Sequence, residues 1–137
     1  GEKAAQILAD TGYDALEISS GVRGAKYEGM EYKAKINKPA REGYFRNWAK
    51  EIKKHVNIPV IAVGGLKSLA MMDEMIQNKE ADFVALCRPL ITEPALIHEW
   101  KQEPQKKPRC VYCNKCLEAL HQGIPLHCVA FAKKSPP

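Results

Sequence analysis

Ile58-Pro59-Val60-Ile61-Ala62-Val63-Gly64-Gly65 is a continuous apolar run closed by two glycines. An unbroken run of this kind, rather than an alternation of apolar and polar residues, suits a parallel strand buried on both faces. Asp82-Phe83-Val84-Ala85-Leu86-Cys87 downstream has the same character. Upstream, Tyr13-Asp14-Ala15-Leu16-Glu17-Ile18-Ser19-Ser20-Gly21 reads as a strand that ends in a loop of small residues. Helical patterns separate the three. Ala4, Ile7 and Leu8 share one face from Glu2 to Ala9, and Gly12 stops that helix. Phe45, Trp48, Ala49, Ile52 and Val56 continue a helical stripe from Tyr44. Leu69, Met72, Met75 and Ile76 form another, with Ser68 placed to cap it, and the methionines read as core filler. A short helix is expected from Glu93 to Trp100, with Pro94 in its first turn. The order α-β-α-β-α-β-α implies parallel βα units. Three strands make either a small doubly wound sheet or one sector of a barrel, and periodicity does not separate the two. A complete (βα)8 barrel needs about 250 residues, against 137 here.

Composition excludes some classes of function. Hydrophobic residues make up 45% and charged residues 27%, which is ordinary for a globular domain. No apolar run approaches the roughly 20 residues of a membrane helix, and the opening Gly1-Glu2-Lys3 does not resemble a signal peptide. A cytoplasmic protein is expected, with no membrane partner. The net charge of +5 is spread over helices and loops, as at Lys50, Lys53 and Lys54, with acidic residues among them. That pattern describes a solvated surface rather than a nucleic-acid interface. His55 and His98 lie on helices and read as surface residues.

Chemistry is expected at the C-terminal ends of the strands. In barrels, ligands bind there, and a phosphate site often uses the loops after the last two strands. Those ends are Gly64-Gly65 and Cys87-Arg88. Glycines let the backbone approach a phosphate with its N–H groups, and Arg88 offers a cationic fork for phosphate oxygens. The segment from Val22 to Gly43 is too long for an ordinary connection and reads as a functional loop at the same mouth. Its Arg23, Lys26 and Tyr27 are placed to meet an anionic substrate. After a charged, proline-containing linker from Gln102 to Arg109 comes Cys110-Val111-Tyr112-Cys113-Asn114-Lys115-Cys116, and then Cys128. Four thiolates close a tetrahedral zinc site or hold an iron–sulfur cluster. The three-plus-one spacing favours a cluster, while His121 and His127 keep zinc open as the alternative. A Gly123-Ile124-Pro125 turn can return the chain so that all four cysteines meet.

These stretches, together with Ala81-Asp82-Phe83-Val84-Ala85-Leu86-Cys87-Arg88-Pro89-Leu90-Ile91 and Glu93-Pro94, resemble strands seven and eight of the old-yellow-enzyme family. These are NADH:flavin oxidoreductases and ene-reductases. Asp14 to Gly21 is similar to strand six, and the cysteine segment resembles the branch that includes bacterial 2,4-dienoyl-CoA reductase. The resemblance implies an α/β fold made of the C-terminal βα units, strands six to eight, of a TIM (βα)8 barrel. Residues 1–101 would be the barrel portion, and residues 102–137 the linker and cysteine-rich segment. It implies FMN as cofactor, with the phosphate on Gly64, Gly65, Cys87 and Arg88, and NAD(P)H as co-substrate. An activated alkene or enone would be the acceptor. It also implies a [4Fe-4S] cluster on Cys110, Cys113, Cys116 and Cys128, although two residues separate Cys113 from Cys116 where cluster-bearing members have three. The family's substrate-anchoring and proton-donating residues would precede Gly1, so no catalytic residue is assigned. A partner N-terminal barrel portion is expected, and the isolated chain is expected to be inactive. Assembly into a homo-oligomer stays open. Two other readings compete: a phosphate-binding barrel without flavin, such as an aldolase or isomerase, and a non-enzymatic zinc- or metal-binding module.

Overall fold

The computed structural model describes residues 1–19 and 33–131. Ser20, Gly21, Arg23, Lys26 and Tyr27, and with them residues 22–32 of the loop expected to carry function, lie outside the described residues.

Three short parallel strands stand side by side in chain order: β1 (Leu16–Ile18), β2 (Val60–Ala62) and β3 (Phe83–Val84). Leu16 faces Val60 across the first pair, and Ile61 faces Phe83 across the second. Helices α1 (Glu2–Asp10), α2 (Arg46–Lys53) and α3 (Leu69–Gln77) alternate with them, and a 3-10 turn (Pro39–Arg41) precedes α2. After β3 come α4 (Arg88–Thr92), α5 (Leu96–Gln102) and α6 (Lys115–His121). Among the described residues β2 alone is paired on both sides, which is why its run is the most continuously apolar. Val60 and Ala62 are sealed among Ala49, Ile52, Met72, Met75, Leu96 and Trp100.

Ion pairs tie α2 to the strands it covers. Glu80, buried just before β3, accepts hydrogen bonds from Arg46 Nε at 2.5 Å and Lys50 Nζ at 3.1 Å. Arg46 beside it holds the Glu80 carboxyl below the usual range against the opposing effect of burial. Asp82 receives the Val60 N–H at 2.7 Å and pairs with Lys53 at 2.6 Å. Lys54 pairs with Glu51 at 2.7 Å. The three lysines that could have suggested nucleic acid thus each have a carboxylate partner.

Several expectations need correction. The strands are shorter than their apolar runs, because pairing covers at most three residues. The helix expected from Glu93 to Trp100 is α5, which starts beyond Pro94 at Leu96, and an additional short helix, α4, precedes it, starting at Arg88 with three residues between it and the end of β3. Ser68 does sit at the start of α3 but caps nothing with its side chain. Its hydroxyl and N–H both donate to Glu42, each at 2.8 Å, so a carboxylate from another element serves the helix end. On α1 the buried residue is Ala5, while Ile7 and Leu8 are exposed.

Candidate functional site

The candidate site begins where β2 runs out. Gly64 and Gly65 have φ of 113° and 68°, values that side-chain-bearing residues rarely adopt. Space forbids a side chain as well. A Cβ on Gly64 would lie 2.7 Å from the Phe45 ring, and one on Gly65 would lie 2.6 Å from the Tyr44 ring. Past the end of the neighbouring strand, β3, the exposed Cys87 is the residue from which α4 starts, and Arg88 is its first helical residue. The backbone N–H groups of Gly65, Cys87 and Arg88 donate to no acceptor among the described residues. Among the described residues, the segments that follow two adjacent parallel strands therefore carry unpaired donors of the kind an anion satisfies.

Arg88 is buried. Its Nη1 donates to the Lys33 carbonyl at 2.7 Å and to Asn114 Oδ1 at 2.5 Å, and its Nη2 lies 3.4 Å from the Tyr44 hydroxyl. The guanidinium stacks over the Tyr112 ring at 4.4 Å, a cation–π contact. Arg88 is thus a buried cation held by neutral acceptors and an aromatic face, with no carboxylate among its described partners. A buried charge without a counterion is costly, and an anionic ligand would relieve that cost.

The cysteine segment forms a lid over these strand ends. Glu93 Oε2 accepts the Arg109 N–H at 2.6 Å, and the Trp100 indole donates to the Lys106 carbonyl at 2.8 Å. These bonds pull the proline-containing stretch back onto the end of α4 and onto α5. Beyond it, Cys110 and Tyr112 are buried with Ile36 under Tyr44. Tyr112 donates to the Leu66 carbonyl at 2.5 Å, and burial pushes its phenol well above the usual range.

All five cysteines are free thiols. Cys110, Cys113, Cys116 and Cys128 line one small cavity of about 20 Å³ together with Arg88, Thr92 and Tyr112. That is room for about one water. Thr92 Oγ1 lies 3.4 Å from Cys128 Sγ, and burial raises the Cys116 thiol. Among the described residues, no three Cys, His, Asp or Glu side chains form a group that could hold one metal ion. The four cysteines thus line one cavity without forming a closed single-ion site among the described residues.

The residues proposed for phosphate, Gly64, Gly65, Cys87 and Arg88, lie at the ends of neighbouring strands. His55 and His98 are exposed, facing Glu51 and Gln102. His127 hydrogen-bonds the Pro125 carbonyl, and His121 closes α6. Sequence reasoning missed Tyr44, Tyr112 and Asn114. The available signal was an aromatic and an asparagine set between cysteines, where neither is needed for ligation.

No helix among the described residues is long and apolar enough to cross a membrane. The NADH:flavin oxidoreductase / NADH oxidase family matches residues 2–107. An NADH oxidase of Thermoanaerobacter brockii is 35% identical over 133 residues, covering 93% of this chain and 19% of that protein. A bilirubin reductase of Clostridium symbiosum is 35% identical over 95 residues, covering 68% and 26%. A cinnamate reductase of Clostridium sporogenes is 26% identical over 130 residues, covering 93% and 19%. The chain spans about a fifth to a quarter of the length of these relatives. Matches covering 93% of the chain extend beyond the family's matched region into the cysteine segment. The family is described by NADH and flavin. The chain belongs to the NADH:flavin oxidoreductase / NADH oxidase family.

Proposed function

We propose that this chain is the C-terminal portion, strands six to eight, of the barrel of an FMN-dependent NADH oxidoreductase of the ene-reductase type, and that it holds the FMN phosphate. The observation that carries this reading is the pair of adjacent strand ends: among the described residues the Gly65, Cys87 and Arg88 N–H groups are unpaired, and the buried Arg88 beside them has no carboxylate partner. This donor set suits a phosphate dianion. Family membership favours flavin over an aldolase- or isomerase-type ligand.

In this scheme the flavin supplies hydride transfer between NADH and an acceptor. Gly65 and the start of α4 anchor the phosphate by backbone donors, and Arg88 neutralises its charge. Tyr44 and Phe45, packed against the glycines, keep the turn closed to side chains. The acceptor class we propose is an activated alkene, in line with relatives named for reducing cinnamate and bilirubin. In the complete polypeptide, Arg88→Ala should weaken FMN retention by about 1.5–3 kcal/mol, the scale of a hydrogen bond to a charged group. Flavin content after dialysis measures this, and unchanged retention would show that the phosphate binds elsewhere.

We propose further that Cys110, Cys113, Cys116 and Cys128 hold a [4Fe-4S] cluster, with zinc as the alternative. Their shared cavity supports this reading, and the cavity would have to open to admit either group. Iron, sulfide and zinc analysis after anaerobic purification distinguishes them. Finding none of the three after reconstitution would leave the cysteines as packing residues.

A further inference from the structure

Four non-glycine residues have positive φ among the described residues, and three of them meet at one point: Lys35 at 56°, Tyr112 at 53° and Asn114 at 64°. A tyrosine in this region is strained, and such strain persists only where surrounding contacts over-determine it. Those contacts are present. The Lys35 N–H donates to the Tyr112 carbonyl at 3.0 Å. The Tyr112 hydroxyl donates to the carbonyl of Leu66, the residue after Gly65, and the Tyr112 ring lies under the Arg88 guanidinium. Asn114 stands at the start of α6, yet its side chain caps nothing there. It accepts from Arg88 Nη1 instead.

Tyr112 and Asn114 flank Cys113. Through them the cysteine segment grips both strand-end loops, the β2 turn at Leu66 and the start of α4 at Arg88. Arg88 Nη1 donates to both Asn114 and the Lys33 carbonyl, so with the Tyr112 ring against it the guanidinium is held in large part by the cysteine segment. We propose that Tyr112 and Asn114 are positioning residues for the phosphate site: they orient Arg88 and the β2 turn, and thereby make anion affinity depend on the packing of the cysteine segment. This rests on the reading of Gly65 and Arg88 as the phosphate site.

The test is titration of the complete, flavin-free polypeptide with FMN and, separately, with riboflavin, which lacks the phosphate. Asn114→Gly removes the side chain while tolerating the positive φ. It should raise the Kd for FMN about three- to tenfold, the scale of one hydrogen bond, and leave that for riboflavin unchanged. Tyr112→Phe keeps the ring beneath Arg88 but loses the bond to Leu66, and should give the same pattern with a smaller change. Wild-type FMN affinity in both variants, or equal weakening toward both flavins, would overturn the proposal. If Asn114→Gly does not fold, Asn114→Asp keeps an acceptor on Arg88 but places an anion beside the phosphate. It should weaken FMN alone, and an unchanged FMN Kd in that variant would equally overturn the proposal. Arg88→Ala separates the two levels. If it leaves FMN affinity unchanged, the phosphate reading fails. If it weakens FMN while Asn114 and Tyr112 variants do not, only the positioning role fails.

Discussion

The two ends of the β1–β2 layer use similar apolar material with opposite results. Over the strand ends, Ile36 and Tyr112 are each 2% exposed, closed in by the cysteine segment. Along the free flank of β1, Leu8 is 39% and Trp48 51% exposed. There α1, β1 and α2 leave a groove of about 750 Å³ lined by Leu8, Leu16, Ile18, Trp48 and Ile52. A second groove of about 440 Å³ beside β3 is lined by Val84, Leu90 and Ile97 among others. Hydrophobicity alone therefore does not decide what is buried. The covered end has polar groups with specific geometric demands, at Arg88, Leu66 and Asn114, and the chain itself meets them. The flanks demand only apolar area. Two apolar flanks on a parallel sheet are what the barrel reading requires, with further strands of the longer polypeptide lying against them.

The largest effect should come from breaking the covered end. Tyr112→Ala removes a buried ring, its bond to Leu66 and the face beneath Arg88, and should cost about 3–5 kcal/mol, read as a lowered denaturation midpoint. A loss under about 1 kcal/mol would mean that the cysteine segment does not hold the strand ends. Next is the Glu80 network, which joins α2 to the segment before β3. Glu80→Gln should cost about 1–3 kcal/mol. Because Arg46 lowers the folded-state Glu80 pKa, its contribution is full above the unfolded value, near 4.5, and is lost as pH falls through the lower folded value. The gap between wild type and Glu80→Gln should therefore narrow in acid, and a gap that widens would contradict this assignment. The smallest effect should be on the open flank. Trp48 stacks on Phe45 at 5.5 Å, and Trp48→Ala in the 137-residue chain should cost about 1 kcal/mol, the scale of one aromatic pair. The Trp48 emission should shift to the blue in the longer polypeptide if further strands cover the groove.

Much of this was legible in the sequence, and the rest was hidden for physical reasons. The apolar run at Ile58 to Gly65 and the glycines that end it are strong signals of the central parallel strand, although only Val60 and Ala62 of β2 are fully buried and Ile61 between them is half-buried. The α1 face was misjudged because periodicity marks an apolar stripe without saying whether anything covers it, and Ile7 and Leu8 are uncovered here. The start of α4 at Arg88 was missed although Pro89 stands in its first turn, because five residues are too few to show a helical stripe. The roles of Tyr112 and Asn114 depend on left-handed backbone between cysteines and on contacts to residues 46 and 26 positions away. Local pattern carries no trace of such contacts.

The central claim is that one anion bridges the ends of β2 and β3. A crystal structure of the complete protein loaded with FMN tests it most directly. The account predicts the phosphate within hydrogen-bonding distance of the Gly65, Cys87 and Arg88 N–H groups, with the Arg88 guanidinium against it and still bonded to Asn114. A phosphate seated away from both strand ends, for instance in the cavity lined by Lys38, Lys67, Lys106 and Lys107, would contradict it.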